Sequence, residues 1–140
     1  MGYWSPDRRE GFASELPPAP PNADTIFWFE ALCVLSALQY ATTLPSPPSH
    51  LAIFTDNLNT VQIFSSFKAH DAYNDILLFA ARLLIRSRID LRVFHIPGEQ
   101  NTIADAISRG LFDVAFQYAP GLKLYTFQPP RVTLGYAKEC

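Results

Sequence analysis

A short apolar run, Leu51–Phe54, constrains this chain more than any other feature, because a polar pair follows it almost at once. The run lies between the proline-containing segment Ser46–Ser49 and the pair Asp56-Asn57. Four consecutive apolar residues bounded by turn residues are typical of a strand that is buried on both faces. An acid at the carboxyl end of such a strand lies where open α/β sheets place their chemistry. We therefore expect Asp56 to be the centre of any functional site.

The composition is that of one globular domain with a sizeable core. The chain has 140 residues, of which 49% are hydrophobic and 17% charged. Its net charge of -2 gives no general attraction to nucleic acid, so such binding would need a local patch or metal ions. The two cysteines, Cys33 and Cys140, form no disulfide framework, and Met1–Glu10 contains no secretory signal. We expect an intracellular protein, in the cytoplasm or nucleus, that is not secreted.

Apolar periodicity and turn residues predict alternating strands and helices. The predicted elements are a hairpin of Gly2–Trp4 and Gly11–Ala13, an extended connection over Pro17–Pro21, helices over 26–42, 57–64, 72–88 and 102–109, and strands over 51–54 and 91–96. Asp24 or Thr25, Asp56 and Asn57, Asp71 and Asn101 are the expected helix caps, and Gly110 is the expected left-handed terminator of the last helix. Residues 111–140 have no clear period, and we assign them no role.

The same spacing predicts which side chains face the core. In the first helix the predicted inward stripe is Phe29, Cys33 and Ala37, broadened by Ile26, Leu32 and Leu35. In the later helices the predicted inward residues are Leu58, Val61 and either Phe64 or Gln62, then Ile76, Phe79 or Ala80, Leu83 and Leu84. For His95, a satisfied core histidine is a simpler expectation than a catalytic one.

The segment Ile26–Leu44 has one alternative interpretation, a membrane span. It carries a single charge, Glu30. An ionisable group inside a bilayer is costly, and no positively charged loop flanks this segment closely. We therefore favour a buried helix and expect no membrane partner.

Three carboxylates occupy unusual settings. Glu30 is the one acid in the predicted buried helix, Asp56 follows the buried strand, and Asp105 lies between alanines in the last helix. Burying a lone carboxylate is costly, so three at the edge of one core point to a shared divalent cation. Mg²⁺ prefers oxygen ligands, and a pair of such ions can stabilise both oxygens of a phosphodiester displacement.

Each of these acids also has a simpler explanation when it is taken alone. Asp56 is more often a helix cap than a ligand, Glu30 is more often a partly exposed helix residue, and Asp105 could simply favour the first turn of its helix. Only the set of three favours the metal-site interpretation.

The candidates for nucleic-acid contact are weaker. They are Asn57, beside Asp56, and the basic residues Lys68, Arg82 and Arg86. Arg82 and Arg86 share a helix face by their spacing. A solvated face is the simpler explanation for these residues, and phosphate contact becomes credible beside a metal site.

Three motifs in order resemble the ribonuclease H-like domain of retroelement (retrotransposon) reverse transcriptases. They are FWFEAL at Phe27–Leu32, TDN at Thr55–Asn57 and HIPGEQNTIADAISR at His95–Arg109, the last being the most specific. The resemblance covers about Ile26 to Gly110. It implies an α/β fold with a mixed sheet and flanking helices, a two-ion Mg²⁺ or Mn²⁺ site, and an RNA–DNA hybrid as substrate. Glu30, Asp56 and Asp105 would be the catalytic metal ligands, and Asn101 a structural cap.

The resemblance also brings out a difference. In the family, a first, central strand carries a further metal-binding Asp, whereas this chain begins with Met1-Gly2-Tyr3-Trp4. A histidine-containing loop of some relatives has no room between Pro97 and Asn101. We expect a domain over 1–110 that lacks its first strand, with the hairpin and connection in 1–24, the core in 25–110 and a tail in 111–140. The hairpin should then pair with the Asp56 strand or leave that strand's edge open to a partner chain or a second copy.

Two functions follow from this interpretation. The first is metal-dependent hydrolysis of RNA in RNA–DNA hybrids, limited by the missing carboxylate. The second is a non-catalytic remnant or domesticated module that binds nucleic acid or protein.

Overall fold

A computed structural model of the chain describes residues 1–21, 23–69 and 71–132. Within them the fold is mixed α/β, as expected. The elements in chain order are β1 (Gly2–Ser5), β2 (Glu10–Ala13), α1 (Thr25–Thr43), β3 (His50–Thr55), α2 (Leu58–Ser66), α3 (Asp71–Ser87), β4 (Asp90–His95), a 3₁₀ turn (Gly98–Gln100), α4 (Thr102–Ser108), α5 (Phe112–Tyr118) and β5 (Lys123–Thr126).

The strands form two separate sheets. The three-stranded sheet has the order β1-β2-β5, with β1 antiparallel and β5 parallel to β2, and the two-stranded sheet consists of β3 and β4 in parallel. The predicted hairpin is therefore confirmed, but it does not pair with the strand that precedes Asp56. In the part of the chain that the structure describes, the other edge of β3 is open. The tail, which has no predicted element, supplies α5 and β5.

Local sequence explains where several helices begin and end. The Asp24 carboxylate accepts a hydrogen bond from the Phe27 amide at the start of α1, and the Asn57 side chain accepts one from the Thr60 amide at the start of α2. Gly110 has a φ of +74° and follows α4 as predicted. Asn101 occupies the N-cap position of α4 as predicted, but its side chain makes no capping hydrogen bond. The capping position before Asp71 falls on residue 70, which lies outside the described residues.

The main core lies between α1, α3 and one face of the two-stranded sheet. The buried residues of α1 are Trp28, Ala31, Leu32, Val34, Leu35, Ser36, Leu38 and Ala41. The predicted stripe was thus correct for Leu32 and Leu35, whereas its central residues Phe29, Cys33 and Ala37 are only half-buried and Ile26 is 72% exposed. A helix with apolar residues on every side carries little information about which face is buried.

In other elements, too, the buried residues differ in part from the predicted ones. In α2 the buried residues are Thr60, Ile63 and Phe64, whereas Leu58 is exposed. In α3, Ile76 and Ala80 are buried as predicted, and Tyr73 and Leu77 join them. The prediction that both faces of β3 are buried is wrong, because its residues alternate and Ala52 and Phe54 are exposed. This alternation is what a sheet covered on one side requires.

Helix α1 is long and apolar enough to cross a membrane by length and composition alone. In the structure it packs against α3 and contacts both sheets, with eight of its residues buried.

Candidate functional site

The fold places Asp56 directly after β3, with its side chain exposed. The following residue, Asn57, caps α2 through its side-chain oxygen, which also accepts from the Thr60 hydroxyl at 3.0 Å. The capping role is therefore filled by Asn57, and the Asp56 carboxylate remains available. One of its oxygens lies 3.7 Å from where a Cβ on Gly98 would stand, so the 3₁₀ turn borders the acid.

Glu30 lies in α1 and faces the end of β3. Its carboxylate accepts a hydrogen bond from the hydroxyl of Thr55 at 3.3 Å, and Thr55 is itself 4% exposed. Burial raises the pKa of Glu30, and the nearby negative charge of Asp56 raises it further. The Thr55 hydroxyl opposes this shift by stabilising the ionised form.

Asp105 lies in the first turn of α4, close enough for its charge also to raise the pKa of Glu30. Its own carboxylate accepts a hydrogen bond from the Arg109 side chain at 3.1 Å, one helical turn later. The Arg109 side chain is exposed to solvent. Its ion pair with Asp105 therefore balances part of the negative charge but stabilises the fold only slightly.

Asp56 and Asp105 are therefore each near enough to Glu30 for their charges to raise its pKa. As donors they suit Mg²⁺, which prefers carboxylate oxygens. Their geometry is less favourable, because in the described residues no group of three acidic, histidine or cysteine side chains converges as a metal-binding set. Glu30 is turned toward Thr55, and Asp105 toward Arg109. The carboxylates in this arrangement do not fit an ion, and we derive no chemical step through one.

Two residues near the acids were not anticipated. Thr55 joins the carboxyl end of β3 to α1 through Glu30 and also accepts from the Asn57 amide at 3.2 Å. In the sequence, this role of Thr55 was indicated by its position between the apolar run Leu51–Phe54 and Asp56. His95, expected in the core, is exposed and is the register partner of Thr55, which places it at the same end of the two-stranded sheet.

The candidates for nucleic-acid contact are distributed over separate elements. Asn57 has the structural role of a cap. Lys68 lies in the loop after α2, and Arg82 and Arg86 are exposed on α3, one turn apart. A role for these three basic residues in phosphate contact remains a prediction.

Comparisons with protein-family models, curated proteins and solved structures give no significant match to this chain.

Proposed function

We propose that this chain is a ribonuclease H-type domain of a reverse transcriptase that hydrolyses RNA in RNA–DNA hybrids, with Glu30, Asp56 and Asp105 as its acidic site. One observation carries the proposal: Glu30 of α1 accepts a hydrogen bond from Thr55, the residue next to Asp56, so these two acids lie near each other at the end of β3. The charge of Asp105 in α4 also raises the pKa of Glu30. These are the three acids that the sequence motifs single out. The activity belongs to the cytoplasm or nucleus, where such hybrids form.

Asp56 and Asp105 add negative charge near Glu30, and Arg109 balances part of it. A divalent cation such as Mg²⁺ or Mn²⁺ would offset the remaining charge once the side chains turned toward it. The described residues supply three of the four carboxylates that the resemblance implies. We therefore expect slow turnover, with Mn²⁺ supporting it better than Mg²⁺, because Mg²⁺ demands the more ideal geometry.

A cleavage assay tests the proposal. The purified chain is incubated with a hybrid labelled on the RNA strand, in Mg²⁺, in Mn²⁺ and in EDTA. Cleavage of RNA should require an ion and fall by about a hundredfold or more in Asp56→Asn and Asp105→Asn, as for residues that act as one unit. Asp75→Asn is the matched control, because Asp75 is an exposed carboxylate on α3. Equal cleavage by all four proteins, or none by the unchanged chain, would remove the nuclease function.

A second candidate function is a non-catalytic module that binds nucleic acid or protein. It is favoured by the two existing contacts, Thr55 with Glu30 and Arg109 with Asp105, which already occupy the acids. Fluorescence anisotropy with the same labelled hybrid separates the two functions. Saturable binding without cleavage in either ion would establish the module and exclude the enzyme.

A further inference from the structure

A cavity of about 780 Å³ lies where the two parallel strands of the three-stranded sheet end. Strands β2 and β5 finish at the register partners Ala13 and Thr126, and the Phe127 amide then donates to the Ala13 carbonyl at 3.1 Å. Beyond this point the two segments line the cavity. Its volume is typical of small-molecule sites, and the carboxyl ends of parallel strands are where α/β sheets bind ligands.

Prolines explain why the two segments separate instead of pairing further. The segment after β2 contains Pro17 and Pro18, and the segment after β5 contains Pro129 and Pro130. Proline has no amide hydrogen to donate, so neither segment extends the ladder of hydrogen bonds. The fixed φ of proline also makes these walls stiff. A preformed site of this kind loses less free energy to ordering when a ligand binds.

The apolar part of the lining includes two aromatic residues. Trp28, from α1, lines the cavity and is 1% exposed. Phe127, from the segment after β5, makes an edge-to-face contact with Tyr3, and the centroids of the two rings are 5.2 Å apart. Together with the proline rings, these side chains suit a flat apolar group on the ligand.

The polar part of the lining includes a cation and an anion. Arg131 belongs to the segment after β5 and Glu15 to the segment after β2, so they come from different walls. Both residues are exposed, and neither forms an ion pair among the residues that the structure describes. They are therefore available to a ligand that carries a carboxylate for Arg131 and an amine for Glu15.

The indole N–H of Trp28 adds a further donor. No residue in the described ranges accepts a hydrogen bond from it. In the same ranges no side-chain nitrogen or oxygen is both fully buried and without a partner, so the indole nitrogen touches open space. Because Trp28 lines the cavity, a carboxylate bound by Arg131 is a suitable acceptor for this N–H.

We propose that this cavity binds a small zwitterion that combines a flat aromatic ring with a carboxylate and an amine, as an aromatic amino acid does. The ring packs against Phe127 and the prolines, the carboxylate meets Arg131 and the Trp28 N–H, and the amine meets Glu15. The three acids of the candidate site are not among the residues that line the cavity. This inference therefore does not depend on nuclease activity.

The first test compares four ligands by isothermal titration calorimetry, at low salt and in EDTA. The ligands are L-tryptophan, indolepropionate (which lacks the amine), tryptamine (which lacks the carboxylate) and glycine (which lacks the ring). We expect saturable binding of L-tryptophan, binding about fivefold weaker for indolepropionate and for tryptamine, and none for glycine. No saturable binding of L-tryptophan, or equal affinity for all four ligands, overturns the proposal.

Two variants assign the charged groups. Arg131→Gln should weaken L-tryptophan and indolepropionate about fivefold and leave tryptamine unchanged. Glu15→Gln should weaken L-tryptophan and tryptamine by the same factor and leave indolepropionate unchanged. Lys123→Gln is the matched control, because Lys123 is an exposed cation at the opposite end of β5 and does not line the cavity. If neither variant alters affinity, or if each weakens every ligand equally, the proposal is wrong.

A spectroscopic readout locates the bound ligand. The chain has two tryptophans, Trp4 and Trp28, and the second lines the cavity. In NMR spectra of the isotope-labelled chain, added unlabelled L-tryptophan should shift the indole N–H signal of Trp28 and leave that of Trp4 in place. The variant Trp4→Phe identifies the two signals. Any other pattern of shifts places the ligand elsewhere and overturns the proposal. Because no hybrid or divalent ion is present, failure here is distinct from failure of the cleavage assay.

Discussion

The three-stranded and two-stranded sheets carry similar aromatic pairs in very different surroundings. Tyr3 and Phe12 are register partners with stacked rings 4.8 Å apart, and Phe54 and Phe94 are register partners with stacked rings 5.4 Å apart. Yet Phe12 is 6% exposed and Phe54 is 56% exposed.

The difference arises from the helices that cover each sheet. One face of the three-stranded sheet packs against the carboxyl-terminal half of α1 through Tyr40, and the other packs against α4 through Ile107. The two-stranded sheet packs its inner side chains into the main core, while the face that carries Phe54 and Phe94 is solvated. The same residue type thus acts as core in one sheet and as surface in the other, and coverage by a helix decides which.

The largest expected effect comes from truncating one ring in each sheet. Phe12→Ala should lower the free energy of unfolding by about 3–5 kcal/mol, since the ring is buried against Tyr3, Tyr40 and Tyr125. Phe54→Ala should cost about 1 kcal/mol or less, because most of the ring is exposed. Urea denaturation of both variants measures the difference. Equal losses would show that the outer face of the two-stranded sheet is covered in solution.

The next effect concerns the close approach of α4 to β1. A Cβ on Gly2 would stand 2.7 Å from the Ser108 amide nitrogen, which belongs to the backbone and cannot turn away. Gly2→Ala should therefore destabilise the chain by about 1–3 kcal/mol. Gly98→Ala is the matched control, because its nearest neighbour would be at an ordinary 3.7 Å. A melting temperature for Gly2→Ala as high as that of the control would contradict the tight packing of α4 on this sheet.

A smaller effect is expected at the acids beside the two-stranded sheet. The folded chain holds the Glu30 proton more tightly than the unfolded chain, because burial and then Asp56 raise its pKa above the ordinary 4.5. The free energy of unfolding should fall as pH rises from 4.5 through the raised value.

Glu30→Gln keeps an acceptor for Thr55 and removes this dependence. At neutral pH the variant should be more stable by about 1 kcal/mol or less, and its advantage should vanish below the ordinary carboxyl pKa. Thermal melts of both proteins across pH measure the effect. A constant difference between them at every pH would show that the pKa of Glu30 is not raised in the folded chain.

The smallest effect lies at the outer end of the three-stranded sheet. The Tyr40 hydroxyl donates to Glu10 at 2.6 Å and is the main reason why the pKa of Glu10 is lowered, with Arg8 adding a second contact. The resulting stabilisation is present above the ordinary carboxyl pKa and is lost as pH falls through the lowered value.

Tyr40→Phe should move the Glu10 titration partway back toward 4.5, as followed by the NMR shift of its side-chain carboxyl carbon. Tyr118→Phe, at an exposed tyrosine, should leave it unchanged. If the Glu10 titration stays in place in Tyr40→Phe, Arg8 is the dominant partner.

Much of the local structure was predictable from the sequence. The caps at Asp24 and Asn57, the left-handed Gly110 and the hairpin all follow from interactions within a few residues, and so they are encoded locally. Which helix residues face the core was harder to predict. Leu58 was expected inside and is exposed, whereas Thr60 is buried, because the hydroxyl of Thr60 bonds to its own helix cap and can enter the core satisfied.

The acids of the candidate site were selected from the sequence, but the sequence did not predict how they are arranged. The settings of Glu30, Asp56 and Asp105 were visible as acids among apolar neighbours. What each carboxylate faces depends on partners distant in sequence or on neighbouring turns, such as Thr55 for Glu30. A periodic pattern of apolar residues contains no information about such pairings. Strand β5, which pairs with β2 of the hairpin, was likewise not predicted, because it lies in a tail without a clear period.

By itself, the sequence determined the order of the strands and helices from β1 to α4 and the acid at the end of β3. Only the tertiary structure decided that the strands divide into two sheets, that α1 contacts both, and that the edges of β1 and β3 are open among the described residues. The physical reason is one of range. Caps, turns and periodicity act over a few residues, whereas strand pairing and the charge environment of Glu30 depend on which segments meet in space.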